Sequence, residues 1–293
     1  MVNVVFGESW ADEPRLLGVL NTTSPLQLSA EVCYAIQRLA QLNQVLCLTP
    51  CVMAGTTGPL SLAGVLALQH AEVLAALTLA QLARPGSPVI YGGVSAVSSM
   101  RDGALHLGTP GHWLMMEATV RLGHELGLPV RAGGCLTDAH ALDYQAGAES
   151  AVNLGMVLGE GVEIVLHAAG MMSSFGAFSA EKLVLDEHLI GLAMQLHRGL
   201  SLDDLDEALD VIASVGPGGT YLATRHTREH ASEFERPGLF GRDAFAARLT
   251  RDAPDVGRVA AGLVEERLGA YRPPDDLDRV LRRQLDEYCL GTS

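Results

Sequence analysis

One unit recurs along the first two thirds of the chain and limits what it can fold into. Short aliphatic runs stand at 16–21 (LLGVLN), 45–49 (VLCLT), 89–93 (VIYGG), 130–134 (VRAGG) and 164–170 (IVLHAAG). Their starts are about 30 to 45 residues apart, the length of a strand plus a crossover helix. The runs are apolar on both faces instead of alternating, which predicts a parallel sheet covered on both sides. Between them lie helical stretches. Residues 111–126 set Leu114, Met115, Ala118, Leu122 and Leu126 at spacings of mostly three or four, an amphipathic stripe. Residues 139–158 and 180–196 read the same way. Two similar breaks, at 84–88 (RPGSP) and 127–129 (GLP), separate a helix end from the next strand. The fold class is α/β.

Past Gly199 the pattern changes. Residues 203–214 predict a helix with Ser201 as N-cap and acids in its first turn, both favourable at a helix N-terminus. The glycine-rich 215–221 (VGPGGTY) reads as loop. Residues 255–288 read as two amphipathic helices broken at Pro273-Pro274, and no strong strand is predicted after residue 170. The division expected is a (β/α) portion over 1–198 and a C-terminal helical extension over 199–293.

Composition narrows the function classes. At 48% hydrophobic and 18% charged, the chain is neither disordered nor a coiled coil. A net charge of -14 argues against a nucleic-acid groove. The stretch 60–83 is nearly all apolar but contains Gln69, His70, Glu72 and Gln81, so a helix buried on the sheet explains it better than a membrane span. The five cysteines form no CxxC pair, and Cys47 and Cys51 are read as buried free thiols. No basic-then-apolar leader opens the chain, so a reducing, cytoplasmic setting is expected. Lys182, the one lysine, reads as helix surface; it would be the Schiff-base residue of an unrelated barrel enzyme such as an aldolase.

Parallel α/β folds place chemistry at the C-terminal ends of their strands. Those ends offer Asn21, Thr22 and Thr23 as ligand donors or helix caps, and Tyr91 as a π face or a core residue. Cys135, after two glycines, is the most exposed-looking thiol and a possible nucleophile, although no partner can be assigned to it. Asp138 and Glu149 lie on one loop-to-helix passage. His167 is either scaffold or site. The motif at 216–219 (GPGG) lacks the GK[ST] of a phosphate loop. His226 and His230 have the spacing of two metal ligands on one helix turn, but no third ligand is visible, so no metal is expected.

An ordered set of segments carries a resemblance. They are LTP at 48–50 through AGT at 54–56 with LAG at 62–64; QL at 81–82 through PGSPVIYG at 85–92; DYQA at 143–146 with ES at 149–150; LHAAG at 166–170; EKLVLD at 181–186; and VGPGG at 215–219 with HT at 226–227. The chain resembles the trimethylamine methyltransferase family, including its members without pyrrolysine. The resemblance implies a (β/α)8 barrel that moves a methyl group from a methylated amine to the cob(I)alamin of a separate corrinoid protein, with no cofactor held tightly by the enzyme itself. It implies site roles for Asp138, Glu149, His167 and Tyr91; with the strand-end reading, the catalytic candidates are Cys135, Asp138 and His167, and the substrate-binding candidates are Asn21, Tyr91 and Glu149. No pyrrolysine stands at 133–135, the part of the chain expected to hold it, which favours a quaternary amine such as glycine betaine, proline betaine or carnitine. Family members are longer at the N-terminus, so about five of the eight βα units are expected here, with the missing strands preceding Met1. Open sheet edges then predict a homo-oligomer, or pairing with a chain that supplies those strands.

Overall fold

The computed structural model describes residues 2–7, 13–234, 239–240, 255–272 and 279–290. In chain order its elements are α1 (Val2–Phe6), β1 (Leu17–Leu20), α2 (Ala30–Gln41), β2 (Val45–Leu48), β3 (Met53–Ala54), α3 (Leu62–Ala83), β4 (Val89–Gly92), β5 (Ala96–Ser98), β6 (Leu105–His106), α4 (Pro110–Glu125), β7 (Val130–Gly133), α5 (Tyr144–Gly159), β8 (Ile164–Leu166), β9 (Met171–Met172), β10 (Ala177–Phe178) and α6 (Ala180–Arg198). Then follow α7 (Leu205–Val215), α8 (Arg225–Phe234), α9 (Val256–Ala270) and α10 (Arg279–Leu290).

The five aliphatic runs become one curled sheet in the order β1-β2-β4-β7-β8, parallel throughout. It is a half-barrel with two open edges, β1 and β8. Successive side chains point to opposite faces of a strand. Leu46, Leu48, Val89, Tyr91, Val130 and Ala132 point to the helices and form the core with residues such as Ile36, Val73, Met116 and Val157. Cys47, Ile90, Arg131 and Gly133 point to the concave face, where Leu17 and Val19 of the edge strand stay 37% and 48% exposed.

The helix starts follow from local chemistry. Ser29, Ser61, Asp143 and Ser179 each accept a backbone N–H as N-cap of α2, α3, α5 and α6. A capped Asp143 explains why α5 begins at Tyr144 and not at 139. Gly123 lets α4 lie close on the sheet, because a Cβ there would collide with Val130 and press on Tyr91. The apolar stretch forms α3, the one helix among the described residues long and apolar enough to cross a membrane. Its Gln69 and Glu72 are buried with polar partners: Gln69 Nε2 donates to Thr119 Oγ1 at 2.8 Å, and Glu72 accepts from Thr22, Ser24 and Leu26.

Three expectations need correcting. Strands do occur after residue 170: β9 and β10 form an antiparallel hairpin, too short for periodicity to show. A second small sheet, β3-β5-β6, extends the mouth of the half-barrel. The helix expected at 203 starts at Leu205 with Asp204 as N-cap, while Ser201 Oγ accepts the Asp203 N–H one turn earlier. Pro273 and Pro274 lie outside the described residues, and α9 and α10 flank them.

Lys182 is also corrected, from helix surface to interior. It is 2% exposed, and its Nζ donates to Cys135 O at 2.9 Å, Ser150 Oγ at 2.9 Å and Asp186 at 2.5 Å. Asp186 also accepts the Gly170 N–H at 2.8 Å. An amine so enclosed is a poor Schiff-base nucleophile. Removing one partner of a buried ion pair costs about 3–5 kcal/mol. Lys182→Met is therefore expected to lower unfolding stability by about that amount in urea titrations, with Lys182→Met/Asp186→Leu recovering much of the loss. A Lys182→Met protein as stable as wild type would disprove the assignment.

Candidate active site

The strand ends converge on a mouth at the concave side of the half-barrel. Arg131 dominates its floor. It sits mid-strand on β7, is 1% exposed, and its guanidinium donates to Gly93 O at 3.1 Å and to His167 Nδ1 at 2.8 Å. Its Nε is buried and has no hydrogen-bond partner. Among the described residues no carboxylate lies within ion-pair distance of it. Burial lowers its pKa to about 10, which leaves it charged at neutral pH. The groups whose charge bears on it are the Cys47 and Cys51 thiols. Burial pushes Cys47 up to about 11 and Cys51 up as well, so neither neutralises Arg131.

His167 leaves β8 with a left-handed backbone, φ 53°. An arginine can only donate, so Nδ1 of His167 is the acceptor and is unprotonated. Burial, and then the Arg131 charge, depress its pKa. Its ring packs 4.7 Å from that of Phe175.

A carboxylate pair lies on the β7–α5 loop. Glu149 reaches back from α5 to accept from Thr137 Oγ1 at 2.6 Å and the Asp138 N–H at 2.8 Å, with Gln145 Nε2 at 2.8 Å on its other oxygen. Asp138 accepts from the Leu107 N–H at 2.7 Å and from the Ser174 hydroxyl, and lies 3.3 Å from His106 Nδ1. The structure thus joins Asp138 to Glu149. Asn21 stands exposed after β1 and accepts from Thr49 Oγ1.

Two candidates move away from the mouth. The Cys135 thiol is buried beside Asp186 and Lys182, so it is no exposed thiol; burial first, and then Asp186, drive its pKa far above the usual thiol range. A nucleophilic cysteine needs the opposite setting. Tyr91 is fully buried on the helix-facing side of β4, and its hydroxyl pairs with His70 Nδ1 at 2.9 Å. It presents no π face to the mouth. Glycines on either side of a strand end do not disclose which way its side chains turn.

Sequence reasoning missed Arg131 and His112. An arginine in the middle of an all-apolar strand was the available signal for the first. His112 is fully buried at the start of α4; its Nδ1 donates to Ser95 O at 3.1 Å, and its Nε2 is buried without a hydrogen-bond partner. Burial lowers its pKa to about 4. The group able to hold a metal among the described residues is Asp204, the N-cap residue of α7, with His226 and His230 of α8.

A curled parallel half-barrel with a buried cation on its concave face, without a carboxylate partner among the described residues, and with carboxylates near the strand ends places the chain among the α/β barrel-type proteins. The family model for trimethylamine methyltransferase (MTTB) matches residues 1–290. The glycine betaine methyltransferase of Desulfitobacterium hafniense is 42% identical over 264 residues, 90% of this chain and 55% of that protein. The proline betaine:corrinoid methyltransferase of Eubacterium limosum is 36% identical, with 97% of this chain and 59% of its own length covered. Trimethylamine methyltransferase MttB1 of Methanosarcina mazei is 31% identical over 89% and 53%. The chain belongs to the trimethylamine methyltransferase family, and it spans about half the length of these relatives.

Two measurements check this geometry. The folded pKa of His112 lies below the unfolded value of about 6.5, so the unfolded state binds the extra proton. Stability is therefore lost as pH falls from about 6.5 towards 4, by up to about 1.4 kcal/mol per pH unit from this residue. In urea unfolding, His112→Gln is expected to flatten the profile in that window; an unchanged slope would contradict it. In native alkylation followed by mass spectrometry, exposed Cys289 is expected to label while Cys47 and Cys135 react only after unfolding. Labelling of Cys135 at the rate of Cys289 would restore it as a candidate nucleophile.

Proposed function

We propose that the chain carries the substrate-holding half of a corrinoid-dependent methyltransferase that acts on a carboxylate-bearing quaternary amine, a betaine. The observation that carries this reading is Arg131, a buried guanidinium with a free Nε and no acidic partner among the described residues. A betaine brings a carboxylate; trimethylamine does not. Charge-assisted hydrogen bonds of arginine to carboxylate are strong and directional. Neutral His167 holds the guanidinium in place by accepting from it. Asp138, Glu149 and Asn21 are proposed to face the cationic end of the substrate. Residues 1–198 would carry this site, with 199–293 a helical extension.

The reaction in this reading is an in-line displacement. The C–N bond breaks with its electron pair staying on nitrogen, so the amine leaves neutral. The methyl carbon bonds to the cob(I)alamin of a separate corrinoid protein, whose cobalt provides the electron pair. No proton has to move, and positioning supplies most of the catalysis. Closure of the half-barrel by further strands, from a partner chain or a second copy, is part of the proposal, since β1 and β8 have open edges.

A second reading, a betaine binder without turnover, is favoured by the five-stranded extent of the sheet. One experiment separates the two. The chain is mixed with reduced cobalamin and glycine betaine, proline betaine or carnitine. Methylcobalamin formation is followed by absorbance and binding by calorimetry. The first reading expects both signals and the second expects binding alone; no binding of any betaine would sink both. Losing the Arg131 contact removes about 1.5–3 kcal/mol. Arg131→Gln is expected to weaken betaine binding about 10- to 100-fold while leaving choline, which lacks the carboxylate, unaffected.

A further inference from the structure

The α7–α8 segment brings together three side chains that the sequence leaves far apart. His226 and His230 sit one turn apart on α8, with ring centroids 4.3 Å apart. Asp204, the N-cap residue of α7, lies across from them. One ligand atom from each residue falls within 4.8 Å of the others.

Two observations concern Asp204 and His226. The carboxylate of an N-cap aspartate ordinarily accepts a backbone N–H of the first turn. Asp204 makes no such bond. Its Oδ2 instead lies 3.7 Å from His226 Nε2. That is too long for a hydrogen bond. It is close to the roughly 3.4 Å that separates two ligands of one tetrahedral ion with bonds near 2.0–2.1 Å. The same His226 Nε2 is buried and has no hydrogen-bond partner.

We propose that Asp204, His226 and His230 bind a divalent transition-metal ion of the zinc class. Two imidazoles and one carboxylate suit zinc and its first-row neighbours; calcium and magnesium prefer oxygen ligands. Three protein ligands leave one position for water, and the half-exposed Asp204 gives that position access to solvent. The ion would clamp the start of α8 to the start of α7. The connection between them turns at Gly216 and Gly218, both at positive φ, 66° and 77°. None of these three residues belongs to the strand-end set described above, and the proposal does not rest on the methyl-transfer reading.

The test uses zinc itself. The full chain is loaded with ZnCl2, desalted, and assayed for bound metal by mass spectrometry, beside His226→Gln and Asp204→Asn/His230→Gln. Cobalt is titrated in parallel to read visible ligand-field bands. Wild type is expected to retain one zinc per chain, to resist competition by excess magnesium or calcium, and to rise by a few degrees in Tm with zinc. Both variants, folded by circular dichroism, are expected to lose that zinc and the Tm shift. No zinc retained by wild type would overturn the proposal. So would equal retention by wild type and variants, which would assign the metal to other surface histidines or Cys289.

Discussion

The contact of Lys182 with Asp186 holds the working end of the half-barrel together. From one buried nitrogen it reaches the carbonyl of Cys135 at the end of β7 and the hydroxyl of Ser150 on α5. Its partner on α6 binds the N–H of Gly170 beyond β8. Four segments thus share one charge pair. Burial pushes the Asp186 carboxyl up, and the charge and hydrogen bond of Lys182 oppose that push. Asp138 follows Cys135 by three residues, and His167 precedes Gly170 by three. The placing of both candidates therefore depends on this contact.

A second consequence concerns charge. The half-barrel buries two cationic side chains, Lys182 and Arg131, and treats them differently. Lys182 has its own acid. Arg131 has a carbonyl, a neutral imidazole and two neutral thiols around it. A charge taken out of water without a counter-ion is unfavourable. The proposed betaine carboxylate would supply that counter-ion. The methyl-transfer reading draws on this asymmetry; the carboxylates at the mouth are already occupied by Leu107, Thr137 and Ser174.

Much of the fold was legible. All five strands of the main sheet lie inside the aliphatic runs that predict them, because strands buried on both faces must be continuous apolar runs. That same continuity hid the direction of their side chains. With no polar alternation, nothing marks Tyr91 as facing α3 and α4, or Cys135 as facing α6. Lys182 and Asp186, four apart on a helix, have the spacing of an ordinary surface pair; only the packing of α5 and β7 buries them. Asp138 and His167 follow strand ends directly and Glu149 lies on the helix after one, so position alone makes them candidates. Arg131 stands within the fourth run, where strand periodicity alone does not separate a buried cation from its apolar neighbours. The third member of the Asp204 group was invisible, since the turn that delivers it follows no period.

The strand order of the main sheet equals the order of synthesis. Each new strand docks on the one made just before it, and each helix closes over a pair already formed. Contacts of this kind are local in sequence, which shortens the search for the native pairing. A ribosome delivering these strands in order presents the forward edge of each to the strand made next. Vectorial growth of this kind gives the half-barrel a route to its fold that does not wait for the last residue.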